Sequence, residues 1–140
     1  MESERSKLSE QTLFIIKPDA VARNLIGNII ARFEIKGFNI TKLKMFTLTK
    51  EQAERFYSVH QDKPFFGDLV EFITSGPIVA AVMEGNNAIA TTRIMIGATK
   101  SFEASPGSIR GDFGTGFTDN IIHASDSQES FDHESRVAFE

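Results

Sequence analysis

The chain switches repeatedly between strand-like and helix-like spacing of its apolar residues, with Gly, Pro and short polar residues marking the changes. Thr12-Leu13-Phe14-Ile15-Ile16-Lys17 is a short apolar run stopped by Pro18, which predicts a strand. Ile26, Ile29, Ile30 and Phe33 then recur at helical spacing, and Gly37 ends that helix. Phe38 to Leu48 alternates in part, through Ile40, Leu43, Met45 and Phe46, and reads as a second strand. Thr49 stands three residues before Gln52, a capping-box pattern that opens a helix toward Tyr57. A further helical stretch, Phe65 to Ile73, closes at Ser75-Gly76-Pro77. Ile78-Val79-Ala80-Ala81-Val82-Met83 is apolar throughout, as a central strand buried on both faces should be. Ala88 to Ile96 reads as a helix stopped by Gly97.

From Gly97 to Phe117 the periodicity disappears, and half of the ten glycines of the chain fall there with Pro106. A loop of that length inside a compact domain is usually functional. Asn120 to His123 reads as a last short strand, and Asp126-Ser127-Gln128-Glu129 as the cap of a final helix. Residues 1–10 read as a frayed polar lead-in, unlike a signal peptide. No internal repeat or linker interrupts the pattern, so residues 1–140 read as one domain. The order is βα-β-αα-β-α-loop-β-α. Its βαββαβ core predicts a ferredoxin-like α/β sandwich, with a four-stranded antiparallel sheet covered by helices.

Composition narrows the function. A net charge of -4 argues against a general nucleic-acid binder. The chain has no Cys, which excludes a disulfide framework, a thiolate metal site and a cysteine nucleophile. No apolar run approaches the roughly 20 residues of a membrane span, and a cytoplasmic location is the default expectation.

Three histidines are candidates for chemistry. His60 lies in the polar segment Val59-His60-Gln61-Asp62-Lys63 and His133 in a charged helix, and both read as solvated side chains. His123 differs, because it ends an apolar strand and abuts a helix cap. A half-buried, hydrogen-bonded imidazole and a functional one both fit that position. Lys17 at a strand end, and Arg93 and Arg110, are unremarkable singly, although the long loop singles out Arg110. Taken together, an imidazole with cations around it suits phosphoryl transfer through the ring nitrogen. Gly111-Asp112-Phe113-Gly114-Thr115-Gly116 lacks the Gly-Lys-Ser/Thr ending of a P-loop, and a G-x-G-x-x-G match from Gly114 fails at Asp119. The glycines there read as residues that allow tight loop packing. Asp126 and Glu129 read as a cap first. If the last helix folds back over the strand, Glu134 could accept a hydrogen bond from His123 and fix its tautomer. Phe65, following Pro64, is core by default, or a stacking plate for a base if exposed.

Several segments in order resemble the nucleoside diphosphate kinase family over about Thr12 to Glu134. They are Ile16-Lys17-Pro18-Asp19-Ala20-Val21, Arg23-Asn24-Leu25-Ile26-Gly27, Asp62-Lys63-Pro64-Phe65-Phe66, Ser75-Gly76-Pro77, Ser105-Pro106-Gly107-Ser108-Ile109-Arg110-Gly111-Asp112-Phe113 and Asn120-Ile121-Ile122-His123-Ala124-Ser125-Asp126-Ser127. The resemblance implies that His123 is the phosphorylated nucleophile, with Glu134 and Ser125 orienting its ring and Tyr57 close by. It implies that Lys17, Arg93, Thr99 and Arg110 hold phosphates, and that Lys17 and Asn120 contact the sugar hydroxyls. Phe65 would stack on the base, with Leu69 beside it. The implied activity moves the γ-phosphate of a nucleoside triphosphate to a nucleoside diphosphate, by a ping-pong route through phosphohistidine. Mg²⁺ would be bound through the nucleotide phosphates, with no metal ligand from the protein, and the protein would be a homo-oligomer. Where many relatives have Gly, this chain has Ala20 and Ala124, both small. The rival is a non-catalytic nucleotide- or nucleic-acid-binding module on the same fold, which would keep Lys17, Phe65 and Arg110 without needing His123.

Overall fold

The computed structural model describes residues 10–116 and 121–140. The expected frayed lead-in falls almost wholly outside them, and so do Asn120 and the end of the long loop. Four strands, β1 (Glu10–Ile16), β2 (Asn39–Phe46), β3 (Ile78–Gly85) and β4 (Ile122–Ala124), form a sheet in the order β2-β3-β1-β4. Every neighbouring pair is antiparallel. This is the ferredoxin-like arrangement that the element order predicts.

The two central strands are apolar on both faces because helices cover both. Phe14 and Ile16 of β1, with Val79, Ala81 and Met83 of β3, point to one layer. That layer includes residues of α1 (Pro18–Ala22), α2 (Ile26–Lys36), α5 (Ala88–Ile96) and α6 (Ile109–Phe113). Leu13 and Ile15, with Ile78, Ala80 and Val82, point to the other. There they meet α3 (Lys50–Phe56), α4 (Phe66–Ile73) and α7 (Gln128–Ala138). Strand period two therefore divides one run of residues between two cores.

Local signals hold where they were strong. Thr49 and Gln52 form the reciprocal capping box of α3, at 3.1 and 2.9 Å. Gly37 ends α2 with φ 110°, a conformation that favours glycine. Three expectations need correction. The stretch after Gly97 is not structureless: it carries a 3₁₀ turn, Ser101–Glu103, and helix α6. Gly111 and Gly114 do serve close packing, since a Cβ on the first would run into the Ser105 carbonyl and one on the second into the Ser101 side chain. The last strand lies later than expected, at Ile122–Ala124. The cap of α7 is Ser127, whose hydroxyl accepts from the Ser130 N–H at 3.1 Å, so Asp126 is free of that duty.

Candidate active site

Two adjacent strands bring the first two residues of the site together. β1 delivers Lys17, and β4 carries His123 opposite Ile15 in the ladder. Helix α7 then packs back against β1 and α3, bringing Glu134 to the imidazole. The His123 Nε2 lies 2.8 Å from Glu134 Oε1, and the Ser125 hydroxyl donates to the same oxygen at 2.8 Å. A carboxylate accepts here, so Nε2 carries a proton, and in the neutral ring Nδ1 keeps its lone pair. Phe56, at the end of α3, sets its ring edge-on to the imidazole at 5.2 Å and 71°. The ring is thus held from one side by a hydrogen bond and from another by packing.

Two arginines bracket the histidine through the backbone of β4. Arg110 donates to the Ile122 carbonyl at 2.8 Å and to that of Gly97 at 2.9 Å. Arg93 donates to the Ala124 carbonyl at 3.1 Å. Burial, and secondarily the charge of Arg93, lowers the Arg110 guanidinium to about 10. It stays charged at neutral pH, in a place where an incoming anion would relieve both effects. Lys17 is buried at 6% exposure, and its backbone N–H donates to the Ile121 carbonyl at 2.9 Å.

These groups open on a cleft of about 390 Å³ lined by Lys17, Arg93, Arg110, His123 and Glu134, and by Tyr57, Thr99, Phe65 and Leu69. Burial raises the Tyr57 phenol, with the Glu134 charge adding to it, so Tyr57 is a neutral hydroxyl at any working pH. At the far end Phe65 is 46% exposed, as a stacking plate must be. Among the residues proposed from sequence, Ser125 stands behind Glu134 and Asn120 lies outside the described residues.

The sequence reading missed several neighbours. Phe56 was indistinguishable from any core Phe, and only the fold brings it to His123. His60, read as a solvated side chain, sits between the rings of Tyr57 and Phe65, at 6.4 and 5.9 Å. His133, read the same way, is engaged too: its Nε2 donates to the Arg55 carbonyl at 2.7 Å. Asp126, read as a cap, lines the cleft and accepts from the Ser130 hydroxyl at 2.6 Å. That hydroxyl, and the Arg93 charge, hold the Asp126 carboxyl below its ordinary range.

An antiparallel α/β sandwich with an oriented imidazole and three cations in one cleft defines a framework for phosphoryl transfer. The protein-family model for nucleoside diphosphate kinase matches residues 10–140. The nucleoside diphosphate kinase of Picrophilus torridus is 58% identical over 130 residues, covering 93% of this chain and 94% of the relative. That of Thermoplasma acidophilum is 56% identical over 132 residues, covering 94% and 89%. The crystal structure of the Aquifex aeolicus nucleoside diphosphate kinase superposes with a TM-score of 0.91 at 51% identity, covering 94% of this chain and 95% of the other. The Halobacterium salinarum nucleoside diphosphate kinase, solved in complex with CDP, superposes with a TM-score of 0.91 at 42% identity, covering 94% and 88%. The chain belongs to the nucleoside diphosphate kinase family and is an enzyme of nucleotide phosphotransfer. Among the described residues no helix is long and apolar enough to cross a membrane.

Proposed function

We propose that the enzyme moves the γ-phosphate of a nucleoside triphosphate to a nucleoside diphosphate in two half-reactions through His123. The observation that carries this reading is the Ser125–Glu134–His123 chain, which occupies Nε2 and leaves the lone pair on Nδ1. In the first half, Nδ1 attacks the γ-phosphorus and the bond to the bridging oxygen breaks. The diphosphate leaves with that electron pair, and the phosphorylated ring carries a positive charge beside the Glu134 carboxylate. In the second half, a terminal oxygen of a second diphosphate attacks the phosphorus. The N–P bond breaks, and its pair returns to Nδ1.

Lys17, Arg93 and Arg110 neutralise the phosphate oxygens as charge moves, and Thr99 adds a hydroxyl donor. Tyr57 stands in the same wall as Phe56, close to the imidazole. Phe65 takes the base with Leu69 beside it, and Asn120 with Lys17 takes the sugar hydroxyls. The cleft's carboxylates are Glu134, engaged with His123 and Ser125, and Asp126, engaged with Ser130. Among the described residues no cluster of three or more ligating side chains is present. That donor set fits a Mg²⁺ carried on the nucleotide phosphates rather than held by protein ligands. Bound there, the ion would neutralise phosphate charge. The span of the family match, residues 10–140, supports one domain over the chain. Leu43 and Met45, exposed on the edge strand β2, support a homo-oligomer.

The test is incubation with γ-labelled ATP, followed by denaturation. The label should stay on the protein, be lost in acid and survive base, as a phosphoramidate does. His123→Ala should abolish labelling while leaving the fold and nucleotide binding largely intact. A protein that only binds nucleotide would carry no label, and near-normal turnover by His123→Ala would refute the mechanism.

A further inference from the structure

Strand β4 carries the imidazole, yet it is poorly equipped to hold its own position. It is three residues long and lies on the edge of the sheet, paired with β1 alone. A slip of one residue would turn His123 to the opposite face. The residue entering β4 is unusual. Ile121 is β-branched and wholly buried, and its φ is 76°. A β-branched residue adopts that conformation only where its surroundings impose it.

Beyond the apolar core around its side chain, its backbone groups are met by a single short segment. The Ile121 carbonyl accepts from the Lys17 N–H at 2.9 Å, and the Ile121 N–H donates to Asp19 Oδ2 at 3.2 Å. Both backbone groups of the strained residue are thus tied to Lys17-Pro18-Asp19. We propose that Asp19 is a positioning residue for phosphoryl transfer: its carboxylate pins Ile121, and so sets His123 on β4 against Lys17 just past the end of β1.

Three further observations support this. Ile122, next along, is the residue whose carbonyl receives Arg110, so the same pin sets the height of that guanidinium. Burial raises the Asp19 carboxyl, opposed by the Ile121 N–H and the charge of Lys17, as expected of a carboxylate drawn out of water to make this contact. Asp19 Oδ1 is buried and has no hydrogen-bond partner among the described residues, so Ile121 is the polar partner that the described structure gives this side chain outside its own helix turn. Asp19 itself is absent from the lining of the cleft, so it acts through its neighbours.

The inference rests on His123 being the phosphorylated group, and the experiment separates the two. Single-turnover labelling by Mg²⁺-ATP is measured for wild type, Asp19→Ala and Asp19→Asn, with hydrogen exchange of the Ile121 amide followed in each. Asp19→Ala should slow labelling by ~10- to 100-fold, the scale of a small misplacement, with ATP affinity kept within about threefold. Its Ile121 amide should exchange faster. Asp19→Asn should keep most of the rate and of the protection, because its amide oxygen can still accept from Ile121. A folded Asp19→Ala with the wild-type rate, or an Asp19→Asn as slow as Asp19→Ala, would overturn the proposal. Should Asp19→Ala not fold, Asp19→Asn decides alone: it should keep both the rate and the Ile121 protection, and a slow Asp19→Asn whose Ile121 amide stays protected, or a fast one whose amide does not, would overturn the proposal. Absence of label on wild type would refute the His123 reading; label on wild type with an indifferent Asp19→Ala would refute only the pin.

Discussion

Replacing Glu134 by Gln removes one negative charge and leaves an oxygen where Oε1 now stands. The side chain of His123 is 22% exposed and that of Glu134 13%, so the 2.8 Å pair is neither a surface ion pair nor a dry one. To a ring that donates from Nε2 before the reaction, an amide oxygen would serve nearly as well as an acceptor. The difference appears as Nδ1 bonds to phosphorus and the ring gains positive charge. A hydrogen bond to a charged group contributes about 1.5–3 kcal/mol, against about 0.5–1.5 kcal/mol between neutral groups. The loss is then about 1–2 kcal/mol, or ~5- to 30-fold in rate. Weaker control of the tautomer, since an amide can also turn its NH₂ toward Nε2, extends the expected range to ~10- to 100-fold. Rapid-quench single-turnover labelling measures this step apart from product release. Glu134→Ala should be slower again, because it also strands Ser125 and frees the ring to turn. A Glu134→Gln enzyme with an unchanged single-turnover rate would refute the reasoning and remove Glu134 from the mechanism.

Phe65→Ala should lower kcat/KM for ADP, GDP, CDP and UDP together, since stacking at about 1–3 kcal/mol per base reads area rather than edge groups. A loss confined to one base would reveal an edge-reading contact. The Glu140 carboxylate accepts from the Arg55 guanidinium at 2.8 and 2.6 Å and from the Gln52 amide at 3.0 Å. Arg55 first, then Gln52, lowers its carboxyl from 4.5 to about 2. A carboxyl lowered by folding stabilises above its unfolded value and stops doing so as pH falls through its folded one. The Tm difference between wild type and Glu140→Gln should therefore be full above pH 4.5 and fade toward about 2. The pair is exposed, so added salt should shrink it, and a difference that grew on acidification would contradict the assignment.

What could be read from the sequence was whatever a few neighbouring residues decide. The Thr49–Gln52 box, the stop at Gly37 and the unbroken apolar run of β3 depend on local hydrogen bonds, backbone freedom and strand period, all of which sequence displays. Helix α6 was not legible, because five residues with a central glycine have little intrinsic reason to be helical. Its support comes from far along the chain. Ser108 caps it locally, but Arg32 pairs with Asp112 at 2.8 Å and lies over the Phe113 ring, and Arg23 donates to the Phe113 carbonyl at 2.7 Å. His60 and Phe56 were missed for the same reason: rings meeting across elements leave no spacing to detect. Asp126 was misread by one position, since a run of Ser and Asp before a helix offers several cap candidates and Ser127 supplied the oxygen.

The candidate site was more legible than these failures suggest, for a physical reason. The proposed nucleophilic imidazole, phosphate-binding cations and stacking ring each need a particular residue type, so the types survive in the sequence as a pattern even where geometry does not. Geometry is held by groups whose types are less constrained. Backbone carbonyls of Ile122, Ala124 and Gly97 hold the two arginines, and a backbone amide at Ile121 meets Asp19. Carbonyls and amides are present at every position and mark nothing. A hydrogen bond from a side chain to the main chain can therefore set a catalytic distance without any visible motif. In this chain the sequence showed that His123 and Lys17 belong together, and only the fold showed that a strained isoleucine between them needs to be held.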